Sequence, residues 1–474
     1  MKTSAFAITA LALAISGIAY GDNTYIVNQE GTGNMAMGDQ TGATDSLISQ
    51  TQIGDNNDAE AIQFNATSNG TIIQTQQGNN NSADSEQDGS SSSSAVITLI
   101  GDNNNAGTDQ ISTSNSVMQK TFIGTDNFGG SRQEATSNTT MIYTMTGTNN
   151  GSGSIQENTT STLMSFTITG TDNIGSSLQE NTSNTSMIYT ISGTSSVGSS
   201  LQRDSTNSSM QFTMIGTDNI GSSGQTNMDS AFLNVVSIGD RNVGTSGQTD
   251  SFNSSISVFQ MGDDNSGGGG DDDGSSNTTV QVTQVGNFNV GFTVRSQSSD
   301  QFTTVEQYGN DNSFSSSDDN ANNSVGSNLQ QGDNNDIFVN LQSVSDNNYS
   351  ISQIGNGNDA ELTQTGSNHS AEIIQMSELN TINAEQTNLN ADLYASQDGE
   401  DNLINSLQDG DSISATLNQS GNLNEIDLTQ SGSSDIATLS QDGNSNFLMV
   451  TQTGFSDTIS VTQLGDNNSA TYLQ

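Results

Sequence analysis

The chain has 474 residues, of which 29% are hydrophobic and 5% aromatic, with no Trp, Pro or Cys and a formal net charge of -46. So few apolar side chains exclude a large globular core, the lack of Cys excludes disulfide cross-links, and the charge argues against nucleic acid and anionic membrane as partners. Low hydrophobicity with high charge is also the composition of disorder, but disordered chains are Pro-rich and aperiodic, whereas this sequence is periodic almost throughout.

At the N-terminus, Met1-Lys2 precedes the apolar run AFAITALALAISGIA and the small-x-small Ala19-Tyr20-Gly21, the three parts of a secretory signal peptide. Residues 1–21 are therefore read as a leader cleaved after Gly21, and residues 22–474 as a single repeat domain. The apolar run is short for a membrane span, and no later stretch is long enough for one. Export without membrane insertion is the expectation.

The repeat frame opens at Gln29 and Gly31, and a full motif stands at Ser46, Gln52, Gly54, Asn57, Ala59 and Gln63. From Gly101 the unit is 23 residues, with Gly124, Gly147, Gly170, Gly193, Gly216, Gly239 and Gly262 in step. Through this middle section the first-half glutamine gives way to Leu99, Phe122, Met145, Ile168, Ile191, Met214 and Ser237, which suits an inward place. Gly262 to Asn277, GDDNSGGGGDDDGSSN, interrupts the pattern and reads as an irregular insert lacking a second-half strand, with SSSDDNANNS a second weak half. From Gln342 onward Gln recurs every eleven residues, at Gln353, Gln364, Gln375, Gln386, Gln397, Gln408, Gln419, Gln430, Gln441, Gln452, Gln463 and Gln474. Asn recurs at twice that step, from Asn358 to Asn468, so the unit here is 22 residues in two similar halves.

Each half reads as a strand and a turn. In DTISVTQLGDNN, Ile459, Val461 and Gln463 alternate with Ser460 and Thr462, the period of two of a β-strand, and the Gly and Asn/Asp that follow suit a tight reversal. One such unit buries nothing alone, but stacking at about 4.8 Å pairs every strand with its equivalents. Columns of Gln and Asn amides then satisfy one another inside. The expected fold is all-β: a β-solenoid of about 20 strand-arc-strand repeats, giving amyloid-like cross-β when polymerised.

The spacing at Gln52, Gly54, Asn57, Ala59 and Gln63, repeated at Gln353, Gly355, Asn358, Ala360 and Gln364 and from Gln463 to Gln474, resembles the curlin repeat of curli, the functional amyloid of bacterial biofilms. The resemblance implies an extracellular fibre subunit on the cell surface, exported through an outer-membrane channel and seeded by a nucleator. The chain departs from the family in its many repeats, in the strand-like TYIVNQ that directly follows the leader, and in the apolar middle column. The last inward Gln474 and the first repeat carry no cap in the sequence, so head-to-tail self-pairing is expected.

Other chemistry finds little support. Asp263, Asp264, Asp271, Asp272 and Asp273 cluster as hard-cation ligands would, but the glycine-rich calcium nonapeptide does not recur, and a solvated loop is the favoured reading. His369 is expected as an exposed arc residue, and no catalytic constellation points to an enzyme or a cofactor. Two alternatives remain open: a monomeric solenoid binding a surface through its outward threonines (Thr144/Thr146, Thr167/Thr169), and a minor, nucleating subunit. Stacked arc aspartates such as Asp55, Asp102, Asp240, Asp333 and Asp466 are expected to repel one another and slow assembly.

Overall fold

The computed structural model describes residues 11–14, 22–65, 67–272 and 274–474. The leader lies outside the described residues except for Leu11–Ala14, a short strand parallel to Met35–Asp39. Every regular element described is a β-strand, and no described helix is long and apolar enough to cross a membrane.

Alternation makes the strands. Along Leu47–Ile53, Ile48, Gln50 and Gln52 are buried while Leu47, Ser49 and Thr51 face outward, as a period of two requires. An arc turns the chain into Asp58–Phe64, a second arc returns it, and Thr71–Gln77 then lies parallel to and in register with Leu47–Ile53. These two strands with their arcs form one rung.

The chain divides into two compact units, Met1–Ser230 and Ala231–Gln474. Among described residues the first holds nine rungs, from Thr24–Glu30 with Met35–Asp39 to Ser209–Thr217 with Ile220–Thr226. The second holds eleven, from Phe232–Ile238 with Val243–Thr249 to Thr458–Leu464 with Ser469–Leu473. Within each unit first-half strands pair in parallel with first-half strands and second with second. Each unit is a parallel β-solenoid.

The arcs explain the glycine column. Gly101 has φ +117, and a Cβ there would stand 1.9 Å from the Gly124 carbonyl oxygen of the next rung. Both the backbone conformation and the close stacking therefore exclude a side chain. Asn56, Asn80, Asn103, Asp126 and Asn149 take the left-handed positions beside it, at φ 54 to 57, which short polar side chains tolerate.

The space between the sheets is thin, and side-chain sizes are matched across it. Early in the first unit Ile48 and Ile72 meet Ala61 and Ala95. Further along, Tyr143, Phe166, Tyr189 and Phe212 form a stack with ring centroids 4.8, 4.6 and 4.9 Å apart. Glycines face this stack: a Cβ on Gly175 would stand 2.0 Å from Phe166, and one on Gly198 1.2 Å from the Tyr189 hydroxyl.

Two expectations are corrected. Residues 262–277 do not lack a strand: Ser266–Asp272 runs parallel between Val243–Thr249 and Val290–Ser296, and Ser313–Asp319 is a strand as well. Flanking strands supply backbone partners on both sides, so the ladder holds residues whose own strand propensity is poor. Gln342 leaves the column, because Leu341 takes the inward place opposite Gln364 and the register slips between Gln342 and Ser345. This irregularity absorbs the shortening of the repeat from 23 to 22 residues.

Candidate functional site

The inward amides form continuous columns. In the first unit Gln29 Nε2 donates to Gln52 Oε1 at 2.6 Å, Gln52 to Gln76 at 2.8 Å, and Gln63 to Gln87 at 2.7 Å. In the second, one column runs Gln353, Gln375, Gln397, Gln419, Gln441, Gln463 with donor distances of 2.9, 3.1, 2.9, 2.9 and 2.8 Å. The other runs Gln364, Gln386, Gln408, Gln430, Gln452 at 2.8, 2.9, 3.2 and 3.0 Å, and reaches Gln474 at 3.5 Å. Each bond contributes about 0.5–1.5 kcal/mol net and satisfies a group that would be costly to bury alone.

The asparagine column has the opposite sense. Asn57 donates its backbone N–H and Nδ2 back to Asn34 Oδ1 at 2.9 and 3.2 Å, and its Nδ2 also reaches forward to the Gly78 carbonyl at 2.7 Å. Asn358 donates likewise to Asn335 Oδ1, and Asn468 to Asn446 Oδ1. Glutamine donors thus point toward higher-numbered rungs, whereas asparagine oxygens await donors from them.

At the outermost rungs the first-half columns lie open, while the far edge of Met35–Asp39 carries Leu11–Ala14 of the leader. Thr24–Glu30 pairs with Leu47–Ile53, and Thr458–Leu464 with Ile436–Asp442; the far edge of each has no strand partner among the described residues. Leu464 and Leu473 are 70% and 81% exposed. A Cβ on Gly465 would meet nothing within 4 Å, whereas one on Gly443 would stand 2.1 Å from the Gly465 carbonyl oxygen.

The arc aspartates are acceptors rather than a repelling column. Thr32 N–H and Oγ1 both donate to Asp55 Oδ1 at 2.8 Å, which holds that carboxyl below its usual range. Asn79, Asn310 and Asn444 donate to Asp102, Asp333 and Asp466 respectively. Asp240 donates its N–H to Asp263 at 2.8 Å. Mutual repulsion falls instead on the outer face of the second-half strands, where burial and neighbouring carboxylates raise Asp84 and Glu86.

Of the candidate cation ligands, Asp263 accepts from Asp240 N–H. Asp264 is ion-paired with Arg241, which lowers its pKa, while Asp271 and Asp272 belong to the strand Ser266–Asp272; Asp273 lies outside the described residues. No group of three or more His, Asp or Glu is placed to hold a metal ion among the described residues.

Arg295, Asp318 and Lys120 escaped the sequence reading, and His369 was misplaced by it. Arg295 and Asp318 stand fully buried in the second-half glutamine column, 3.5 Å apart, with Asp271 beside Arg295 in backbone register. Lys120 is buried above the aromatic stack, donates to the Gly107 and Gly129 carbonyls, and is brought down to about pKa 7 by desolvation. His369 is buried, not exposed: it replaces an inward Asn, its Nδ1 accepts from Ala391 N–H at 3.2 Å, and burial lowers its pKa. A charged residue at an inward step of the repeat was the available signal for the first two.

A search of curated proteins finds no match to the chain. The family model of the curlin associated repeat matches residues 345–376 and 421–454. These stretches carry the unbroken columns through Gln353, Asn358 and Gln364 and through Asn424, Gln430, Gln441, Asn446 and Gln452, where no apolar residue displaces an amide. In both stretches the chain is similar to the curlin associated repeat, and there it stacks on the glutamine and asparagine ladders that run through the unit.

Proposed function

We propose that the chain is a structural, non-catalytic subunit of an extracellular curli-like amyloid fibre, self-assembling head to tail for biofilm matrix and adhesion. The opposed polarity of the two ladders carries this reading. The rung of Gln463 and Asn468 offers an amide donor and a carbonyl acceptor on its open side; the rung of Gln29 and Asn34 offers the Gln29 oxygen and the Asn34 backbone N–H. Donors meet acceptors in both columns when a second copy continues the stack in the same direction.

Gly465 supports the same reading. A Cβ on it would meet nothing within 4 Å, whereas one on Gly399, Gly421 or Gly443, earlier in the same column, would stand 2.0, 2.0 and 2.1 Å from the next rung's carbonyl oxygen, so this arc is uncovered on the side where another rung would stack. Secretion through an outer-membrane channel and seeding by a nucleator are proposed with it, from the family resemblance.

The test is to dilute residues 22–474 from denaturant and follow thioflavin T fluorescence, electron microscopy and fibre diffraction. Fibres with a reflection near 4.7 Å are expected. A β-rich monomer persisting for days at high concentration would overturn the reading and favour a surface-binding solenoid.

A further inference from the structure

Five consecutive second-half strands of the first unit, from Phe128–Glu134 to Ile220–Thr226, present an unusual outer face. Phe128, Ile155, Ile174, Val197 and Ile220 are 51%, 42%, 52%, 44% and 54% exposed. Across the first three outward positions of each strand there is no Asp or Glu, and Arg132 is the lone charge. In a chain of net charge -46 such an arrangement is a conspicuous exclusion of like charge. Contiguous exposed apolar surface of this kind marks interaction sites.

Glycine usage points the same way. Gly130, Gly153 and Gly224 face outward in strand interiors, and a Cβ on any of them would meet nothing within 4 Å. Their φ is not in the left-handed region. Neither the turn geometry nor the stacking that fixes the arc glycines applies here, and glycine within a strand costs about 0.5–1 kcal/mol. Close approach of a ligand or another backbone is one reason for glycine within a strand, and Gly107 and Gly247, outside this face, are open in the same way.

We propose that this face docks against the same face of a second copy, so that fibres associate side by side. The inference rests on the fibre reading above. Two observations select a second copy as occupant. Phe128, Ile174, Val197 and Ile220 share one step of their strands, with Gly151 between Phe128 and Ile174, and Ile155, Leu178 and Leu201 share another; rungs recur about every 4.8 Å, and another sheet of this chain is a surface that matches that spacing over all five rungs. The face measures roughly 24 by 23 Å from rung and residue spacings, near 550 Å² per partner against the ~800 Å² of a standard stable interface. Isolated subunits therefore do not pair, whereas a polymer repeats the contact at fixed intervals and associates through avidity.

The acidic rungs next to the face set its orientation. Asp58, Glu60, Asp84, Glu86 and Asp109 line the same outer surface one to three rungs earlier, and their mutual repulsion and burial raise Asp84 and Glu86. Antiparallel docking sends the two acidic patches to opposite ends, while parallel docking superposes them.

Fibres of the full chain and of the Ile174→Asp/Val197→Asp variant, grown side by side, test this by thioflavin T kinetics and electron-microscopic width. The variant should elongate at the wild-type rate but lose bundling, leaving single filaments where wild type gives pairs and bundles. Ile123→Asp/Ile215→Asp, which alters outward residues of the opposite sheet, should keep bundling. Equal bundling by the first variant, or single filaments in wild type, would overturn the lateral contact alone. Absence of any polymer from wild type would overturn the fibre reading, and this inference with it.

Discussion

Arg295 and Asp318 sit where other rungs place neutral amides, and burial makes them each other's requirement. Removing one partner of a buried pair leaves an uncompensated charge, at about 3–5 kcal/mol. Arg295→Gln should lower the guanidinium midpoint accordingly at pH 7, and Arg295→Gln/Asp318→Gln should recover much of the loss by making the column amide again. A double-mutant cycle showing no coupling would exclude the pair as a stabilising contact. Lys120 has the opposite character, being buried on the Gly107 and Gly129 carbonyls, where desolvation outweighs the opposing charge of Asp109. Its folded pKa is about 7 against 10.5 for the free side chain, so the folded state binds its proton less tightly than the unfolded state. Its contribution is favourable at high pH and is lost as pH falls from 10.5 toward 7. Lys120→Met should therefore stabilise the chain at pH 7 by on the order of 2–4 kcal/mol and flatten the rise in stability between pH 7 and 9.5, as measured by denaturant unfolding.

Strands and arcs were legible because their period is short and their residues are chemically restricted. Eleven-residue glutamine spacing gives the two halves, and positive-φ glycines give the arcs. Pairing across the thin core was not legible, since Tyr189 and Gly198 belong to different columns, and column spacing says nothing of what faces what. Nor was the inward place of His369, because its step beside the arc suggested exposure, although the Asn residues at that step donate down an inward ladder. Gln342 misled for a simpler reason: counting by elevens continues through a register slip that moves the side chain outward. The size match predicts that Gly198→Ala, whose Cβ would collide with the Tyr189 hydroxyl, destabilises by about 1–3 kcal/mol. Adding Tyr189→Ile should reverse this, reproducing the Ile97 and Ala106 combination found in another rung. Failure of that rescue in thermal unfolding would show that the glycine answers to something other than ring volume.

For the molecule as a whole, acidity acts through faces rather than arcs. Asp58, Asp84, Glu86 and Asp109 have raised pKa values, with burial the first cause. Such groups bind protons more readily in the folded state, so the stability tied to them is present below their folded pKa and lost as pH rises through it. Both unfolding midpoint and assembly rate should therefore increase from pH 7 toward pH 4. Substituting Asp84→Asn and Glu86→Gln should weaken that dependence, and an unchanged pH profile would remove these residues from the mechanism.

Because equivalent residues in successive rungs occupy equivalent places, the chain's length is quantised. Excising residues 163–185, one rung of the aromatic stack, brings Met141 onto Met187, Tyr143 onto Tyr189 and Gln156 onto Gln202, like against like. Excising residues 279–301 removes Arg295 and sets Asp318 next to Asp271, so the two cuts, equal in size, have unequal consequences. A repetitive sequence can gain or lose most of its modules without noticing; this one carries a numbered step.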